Sequence, residues 1–434
     1  MSVARAVGRV VRRAPALHGE LHLPSDKSIA HRALLFNALA DGDATVRTGD
    51  VGEDVRSTIR CLRALGVAVE EVARGVFEVS GAVRQPGEPL DCGNSGTTMR
   101  LLTGALAGLP LTATLTGDGS LSRRPMRRVA TPLIAMGADV RSTDGHAPLT
   151  VRGKAPLEAV EHRLQVPSAQ LIGAISLAAL AADGVTRIVS SGPTRDHTER
   201  LLRWMGVEIA RRDDVTTLRG PARPAARSII VPSDPSAATP WLVAAAIHPN
   251  ADLVMRGVGL NPTRLAAIKV LREMGARIEV REMATDGPEP VGEMRVRSNG
   301  PLRAIELSGP RVAELIDELP ALAIAMAGAE GTSVLRDANE LRVKESDRIA
   351  TTVAGLDAIG AQVEELPDGW RVTRGIARDA SVQTHGDHRL AIAFAVAAAT
   401  GVAGEVAIDD AECASVSYPA FWDDLERASR ADAA

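Results

Sequence analysis

Two patterns of apolar and polar positions recur along this chain. The first is an apolar helix end, a glycine and then an alternating strand. It appears as CLRALGVAVEE (Gly66), LIAMGADVR (Gly137), LLRWMGVEIARR (Gly206), VLREMGARIEV (Gly275) and LDAIGAQVEE (Gly360). The glycines lie 71, 69, 69 and 85 residues apart. A glycine at this place ends a helix, and period-two alternation marks the strand that follows. The second pattern is a helix apolar on nearly every face behind a polar opening. The six runs are SDKSIAHRALLFNALADG, NSGTTMRLLTGALAG, PSAQLIGAISLAALAADG, DPSAATPWLVAAAIHP, DELPALAIAMAGAEG and GDHRLAIAFAVAAATG, beginning near residues 25, 94, 167, 234, 317 and 387. A helix apolar all round must be buried all round. The pattern therefore predicts six similar α/β units, each with an inner and an outer helix. A period near 70 residues exceeds that of open solenoids, so two compact pseudo-symmetric domains of three units are expected. The segment GPARPAARSIIVPSDP (220–235) marks the central boundary, and the first strand, at about residues 5–20, suits either half.

Composition narrows the partners. With 434 residues there is ample chain for two large cores. A net charge of −4 and a pI near 6.2 argue against nucleic acid or an anionic membrane as the main partner. Aromatic residues are 2%, so the cores must be built of Ala, Leu, Val and Ile. Cys61, Cys92 and Cys413 are scattered and lack metal-ligand spacing, which suits a reducing compartment without zinc. The basic start MSVARAVGRVVRR has no signal-peptide core, no apolar run reaches membrane-spanning length, and a cytoplasmic location is expected. Of 50 basic residues only Lys27, Lys154, Lys269 and Lys344 are lysines. Lysine is a compact charge that can pass a proton, which arginine cannot do. Lys27 and Lys344 sit in dense polar clusters; Lys154 and Lys269 do not.

The unusual residues gather where the buried helices begin, and a helix N-terminus is a ready anion site. GNSGTTMR (93–100) suits close backbone approach to an anion, as would an ordinary capped turn, and it is not a P-loop. SRRPMRR (122–128) is either a solvated basic turn or a source of one inward cation, Arg124, beside Pro125. SAQ (168–170) offers a hydroxyl and an amide, or simply a cap. TRDHTER (194–200) reads as a binding loop or an ion-paired surface turn. DELP (317–320) reads as two reactive carboxylates or a normal helix opening. ELRVKESDR (340–348) reads as an active cluster or a salt-bridged helix face. GDHRLAIAF (386–394) sets cations against the dipole of a wholly apolar helix, which helix stability alone does not explain. Together the clusters hold Arg32, Arg124, Arg195, Arg348 and Arg389 with Lys27 and Lys344, enough for two multiply charged small anions. Asp317 and Glu345 are candidate base and acid. The residues point to metal-free group transfer between phosphorylated or carboxylated small molecules in a closing cleft.

In order and spacing, LPSDKSIAHR, GNSGTTMR, GDGSLSRRPM, SAQ, TRDHTE, DELP, ELRVKESDR and GDHR resemble the 5-enolpyruvylshikimate-3-phosphate synthases over essentially the whole chain. The resemblance implies an α/β fold of two inside-out, barrel-like domains, each of three βαβαββ units, with the active site in the interdomain cleft. Residues 1–22 with 233–434 would form the lower domain and 23–232 the upper. The implied reaction moves the enolpyruvyl group of phosphoenolpyruvate to the 5-hydroxyl of shikimate 3-phosphate, without a cofactor or metal, in a cytoplasmic monomer. Lys27, Ser28, Arg32, Ser168, Gln170, Arg195, Asp317 and Lys344 would hold shikimate 3-phosphate. Lys27, Asn94, Gly96, Arg124, Gln170, Arg348, His388 and Arg389 would hold phosphoenolpyruvate, with glyphosate as its competitor beside Gly96. Lys27, Asp317 and Glu345 would be catalytic. The chain departs from some members at Val416, where they carry a lysine, and at Glu340, where they carry asparagine. A sister enzyme acting on UDP-N-acetylglucosamine usually has Lys-Asn where this chain has Lys27-Ser28, and a cysteine in the loop matching GDGSLSRRP. A non-catalytic anion-binding protein on the same scaffold would tolerate loss of the acid and base, yet Asp317, Glu345 and both clustered lysines are present.

Overall fold

Each of the six apolar runs is a buried helix in the computed structural model, which describes residues 8–430. The helices of the first half are α1 (Lys27–Ala38), α2 (Glu53–Ala64), α3 (Gly96–Ala107), α4 (Arg127–Ala135), α5 (Ala169–Ala179) and α6 (His197–Trp204). Those of the second half are α7 (Pro235–Ile247), α8 (Ala266–Glu273), the short α9 (Pro310–Glu314), α10 (Leu319–Gly328), α11 (Arg348–Ala358), α12 (His388–Thr400) and α13 (Phe421–Ala428). The inner helices α1, α3, α5, α7, α10 and α12 bury nearly every residue, as a ring of apolar side chains demands. The outer helices, such as α2 and α8, bury one face and keep charges on the other. Five of the outer helices give way to strand through the glycines singled out above. Gly66 and Gly275 adopt φ of +82° and +105°, a conformation that a side chain would strain.

The six sheets share one plan. A central strand has a short parallel partner on one side and an antiparallel hairpin on the other. In the first, Ala44–Arg47 pairs in parallel with Ile229–Ile230 and antiparallel with Val76–Ser80, with Val46 opposite Phe77, and Ala68–Ala73 completes the hairpin. Among the described residues the sixth sheet has three strands, Arg9–Val11, Val406–Ile408 and Ala380–Val382. The chain divides into two compact units. The middle unit is Ser25–Val231 with Asp286–Glu289; the terminal unit is the chain up to Pro24, Pro232–Thr285 and the residues from Pro290 on. Both N-terminal strands belong to the terminal unit: Leu17–Leu21 lies parallel to Ala251–Gly259, and Arg9–Val11 antiparallel to Val406–Ile408. Each unit has its own apolar core. Within the middle unit α3 and α5 approach so closely that a methyl at Gly104 would collide with the Ala174 backbone. No helix of the described residues is long and apolar enough to cross a membrane.

Candidate active site

In the middle unit, helix openings carry the polar side chains. Asp26 caps α1 by accepting from the Ile29 amide at 3.0 Å, which frees Lys27 and Ser28 for the first turn. The Lys27 ammonium donates to Asp54 Oδ2 at 2.8 Å, across to α2. Arg32, one turn further in, is buried and tied to protein atoms. It donates to Ser28 O at 3.0 Å, Ala169 O at 3.1 Å and Thr198 Oγ1 at 2.8 Å, joining α1, α5 and α6. Burial pulls its pKa down to about 10, against the opposing charges of Glu199 and Asp26 and with nearby Arg195 adding to the fall. Arg195 itself is half-buried ahead of α6. The TRDHTER segment is no surface turn: His197, Thr198 and Glu199 are buried.

Ser95 caps α3, accepting from the Thr98 amide at 3.2 Å, so Gly96 is the first helical residue. Arg124 turns inward as expected and donates to Asn94 Oδ1 at 2.6 Å; Asn94 donates in turn to Asp118 Oδ2 at 2.7 Å. Arg100 stands four residues beyond Gly96 on the same helix face and donates to Gln170 Oε1 at 2.7 Å. Gln170 also donates to Thr97 Oγ1 at 2.9 Å. A methyl on Gly96 would lie 2.6 Å from Arg100 Nη1 and 3.3 Å from Arg124 Nη1. Ser168 caps α5, with its hydroxyl 3.4 Å from the Leu171 amide.

In the terminal unit the chemistry centres on Arg348, the first residue of α11, whose side chain is 1% exposed. Its Nε donates to Asp387 Oδ2 at 2.8 Å and its Nη2 to Glu345 Oε2 at 2.7 Å, while Nη1 lies 3.6 Å from Asp317 Oδ1. Burial works against this charge, but Asp387, Glu345 and Asp317 outweigh it and hold the pKa above the ordinary arginine value. Asp387 also caps α12, accepting from the Arg389 amide at 3.0 Å. Burial favours its neutral acid, yet Arg348 prevails and keeps its pKa below the usual carboxylate range. His388 is buried beside it, and Arg389 is half-buried.

DELP does open α10, with Glu318 at the N-cap and Pro320 in the first turn, but the Glu318 side chain makes no capping bond and Asp317 stands one residue outside the cap. The alternative reading of a second motif fails on this geometry. ELRVKESDR is not a helix face, because Asn339–Val343 is a 3₁₀ turn, Lys344 is extended, Glu345 and Ser346 form a bend and Asp347 caps α11. The turn leaves Lys344 among carboxylates. Burial holds its pKa below the ordinary lysine range, opposed by Asp317 and then by Glu340, so the Glu340 departure places a countercharge near this lysine. Among the described residues no group of three or more His, Cys, Asp or Glu is placed to hold a metal ion.

The profile of a family described as EPSP synthase (3-phosphoshikimate 1-carboxyvinyltransferase) matches residues 11–425. The chain belongs to the EPSP synthase family. A curated 3-phosphoshikimate 1-carboxyvinyltransferase from Roseiflexus castenholzii is 50% identical over 95% of this chain and 97% of its own length. One from Herpetosiphon aurantiacus is 46% identical, again over 95% and 97%. The solved structure of EPSP synthase from Acinetobacter baumannii superposes with a TM-score of 0.86 at 36% identity, covering 97% of this chain and 98% of that one. The two-domain inside-out α/β fold is therefore that of the EPSP synthases. Sequence reasoning passed over two residues that touch the candidate set, Arg100 and Asp54. Arg100 was visible as the i+4 neighbour of Gly96 within GNSGTTMR. Asp54 gave no such signal, since it is defined by a partner 27 residues away in the chain.

Proposed function

We propose that the chain transfers the enolpyruvyl group of phosphoenolpyruvate to the 5-hydroxyl of shikimate 3-phosphate and releases phosphate. One observation carries the reading: the Asp317 and Glu345 side chains, 25% and 23% exposed, flank the buried Arg348 guanidinium. Addition of a hydroxyl to an enol phosphate needs a base for the hydroxyl proton and an acid for the methylene carbon. An ionised Asp317 and a protonated Glu345 around one fixed cation supply both. Asp317 takes the 5-hydroxyl proton as the oxygen bonds to C2 of the donor, and Glu345 protonates C3. In the second half Glu345 takes a proton back from C3, the C2–C3 double bond re-forms, and the bond from C2 to the phosphate oxygen breaks as the proton held by Asp317 passes to the departing phosphate. Every proton is assigned to a side chain, so the scheme invokes no metal or other cofactor.

Arg348 and Arg389, with His388, and Arg124, Asn94, Gly96, Gln170 and Lys27 are assigned to phosphoenolpyruvate. Ser28, Arg32, Ser168, Gln170, Arg195, Asp317, Lys344 and Lys27 are assigned to shikimate 3-phosphate. Arg32 already satisfies three protein acceptors, so its contribution is to order Ser28 and the start of α5 as well as to supply charge. The reading places the protein in the cytoplasm as a monomer acting on small molecules. Phosphate release should appear with phosphoenolpyruvate and shikimate 3-phosphate, and not with UDP-N-acetylglucosamine as acceptor. Release with the nucleotide sugar alone, or with neither acceptor, would overturn the proposal.

A further inference from the structure

We infer that Arg264, Ser236 and Glu318 form a clamp that sets the position of Asp317, making them positioning residues for the proton transfer. The inference rests on the reading of Asp317 as the base. Glu318 stands at the N-cap position of α10, yet its side chain makes no capping bond to that helix, the usual task of a residue there. Glu318, the residue next to Asp317, is 5% exposed, and its Oε1 accepts a short hydrogen bond from the Ser236 hydroxyl on α7. That hydroxyl accepts in turn from Arg264 Nη2 at 2.7 Å. The same Nη2 donates to Asp234 Oδ1 at 2.7 Å, and Asp234 caps α7 through the Ser236 amide at 2.8 Å. The Glu318 carboxylate is thus tied to the first turn of the neighbouring inner helix by a charged network of three side chains. Asp317 cannot swing far from its place near Arg348 and Lys344 unless Glu318 leaves that anchor.

Helix capping alone does not call for such an arrangement. An Asp or Ser at the cap would start α10 without burying a carboxylate, and buried ion networks add little stability over apolar packing. What they supply is a fixed geometry. A base displaced by about 1 Å loses up to about a hundredfold in rate, so the clamp acts on turnover rather than on binding.

The test is a double-mutant cycle. Ser236→Ala breaks the bridge, and Arg264→Lys keeps the charge but loses the rigid fork. Each should lower kcat by about tenfold or more. Shikimate 3-phosphate affinity, measured calorimetrically, should stay within about twofold, and the melting curve should remain cooperative. Combined with Asp317→Asn, neither substitution should slow the residual single-turnover rate further, because there is no base left to position. Equal fold-losses in both backgrounds would overturn the clamp while leaving Asp317 as base. A fully active Asp317→Asn protein would remove the base reading and the clamp with it. Loss of the folded state in both Ser236→Ala and Arg264→Lys would show a structural network and also overturn the inference.

Discussion

Asp317 stands one residue outside the cap of α10, so replacing it should leave the helix alone. Asp317→Asn keeps the size and can still accept a hydrogen bond, but it cannot take up a proton. General base catalysis typically contributes 10²–10⁴-fold, and kcat should fall by that order with acceptor affinity changed far less. Steady-state kinetics with calorimetric binding check this, and a kcat within about threefold of the parent would remove Asp317 from the base role. Lys27→Arg tests a different property. The ammonium fits a 2.8 Å contact with Asp54, while the larger guanidinium holds its charge permanently. Turnover should drop more than about tenfold, since a smaller loss is under about 1.4 kcal/mol of barrier. At Gly96 an added methyl meets Arg100 and Arg124, both flexible at their ends. Gly96→Ala should therefore weaken glyphosate by about 1–3 kcal/mol in inhibition assays, with a smaller change in KM for phosphoenolpyruvate. Equal losses for both would show that the methyl disturbs the cations rather than the space beside them. These residues were legible because they sit in local motifs. Asp54 was not, because its meaning comes from Lys27, brought to it by folding; Asp387 was legible at its helix opening, but its pairing with Arg348 was not.

The same division holds for elements. Six inner helices could be read from their apolar circumference, and the glycines that end the outer ones from their place before alternating strands. Residues 339–347 could not. ELRVKESDR is rich in helix formers, yet Asp347 is drawn off to cap α11 and Arg342 donates to it at 2.8 Å, so the segment folds as a turn. Helix packing offers a direct test. Gly104→Ala places a methyl against the Ala174 backbone, which cannot yield as a side chain would, whereas Gly87 has open space around it. Thermal melts should show Gly104→Ala destabilised by at least about 1–3 kcal/mol and Gly87→Ala nearly unchanged. Between α1 and α2, His31 Nδ1 lies 2.7 Å from Thr58 Oγ1 inside the core. Burial pushes its pKa from 6.5 down to about 3, with Asp54 opposing the fall. The unfolded chain therefore binds a proton here that the folded chain refuses, and stability is lost as pH falls from 6.5 towards 3. At pH 5 this costs about 2 kcal/mol. His31→Asn should flatten that part of the urea-unfolding profile between pH 7 and pH 5. Parallel profiles for parent and variant would assign the acid sensitivity elsewhere.

On the scale of the whole molecule, the proposed acceptor ligands are divided between two units with separate cores: Ser28, Arg32, Ser168, Gln170 and Arg195 in one, Asp317 and Lys344 in the other. A ligand that binds only when both are folded stabilises both, by about 2.7 kcal/mol at a hundred times its Kd. Saturating shikimate 3-phosphate should thus raise every calorimetric unfolding transition; a shift confined to one would place the ligands in a single unit. The scarcity of lysine has a practical counterpart in protein labelling. Lys154 in the middle unit and Lys269 in the terminal unit are exposed. Lys27 is bound to Asp54, and Lys344 is largely covered. A bulky amine-directed dye should therefore tag each unit on one lysine side chain and leave the candidate site unmarked. The native sequence thus carries one exposed lysine per unit for labelling, with no engineered cysteine needed.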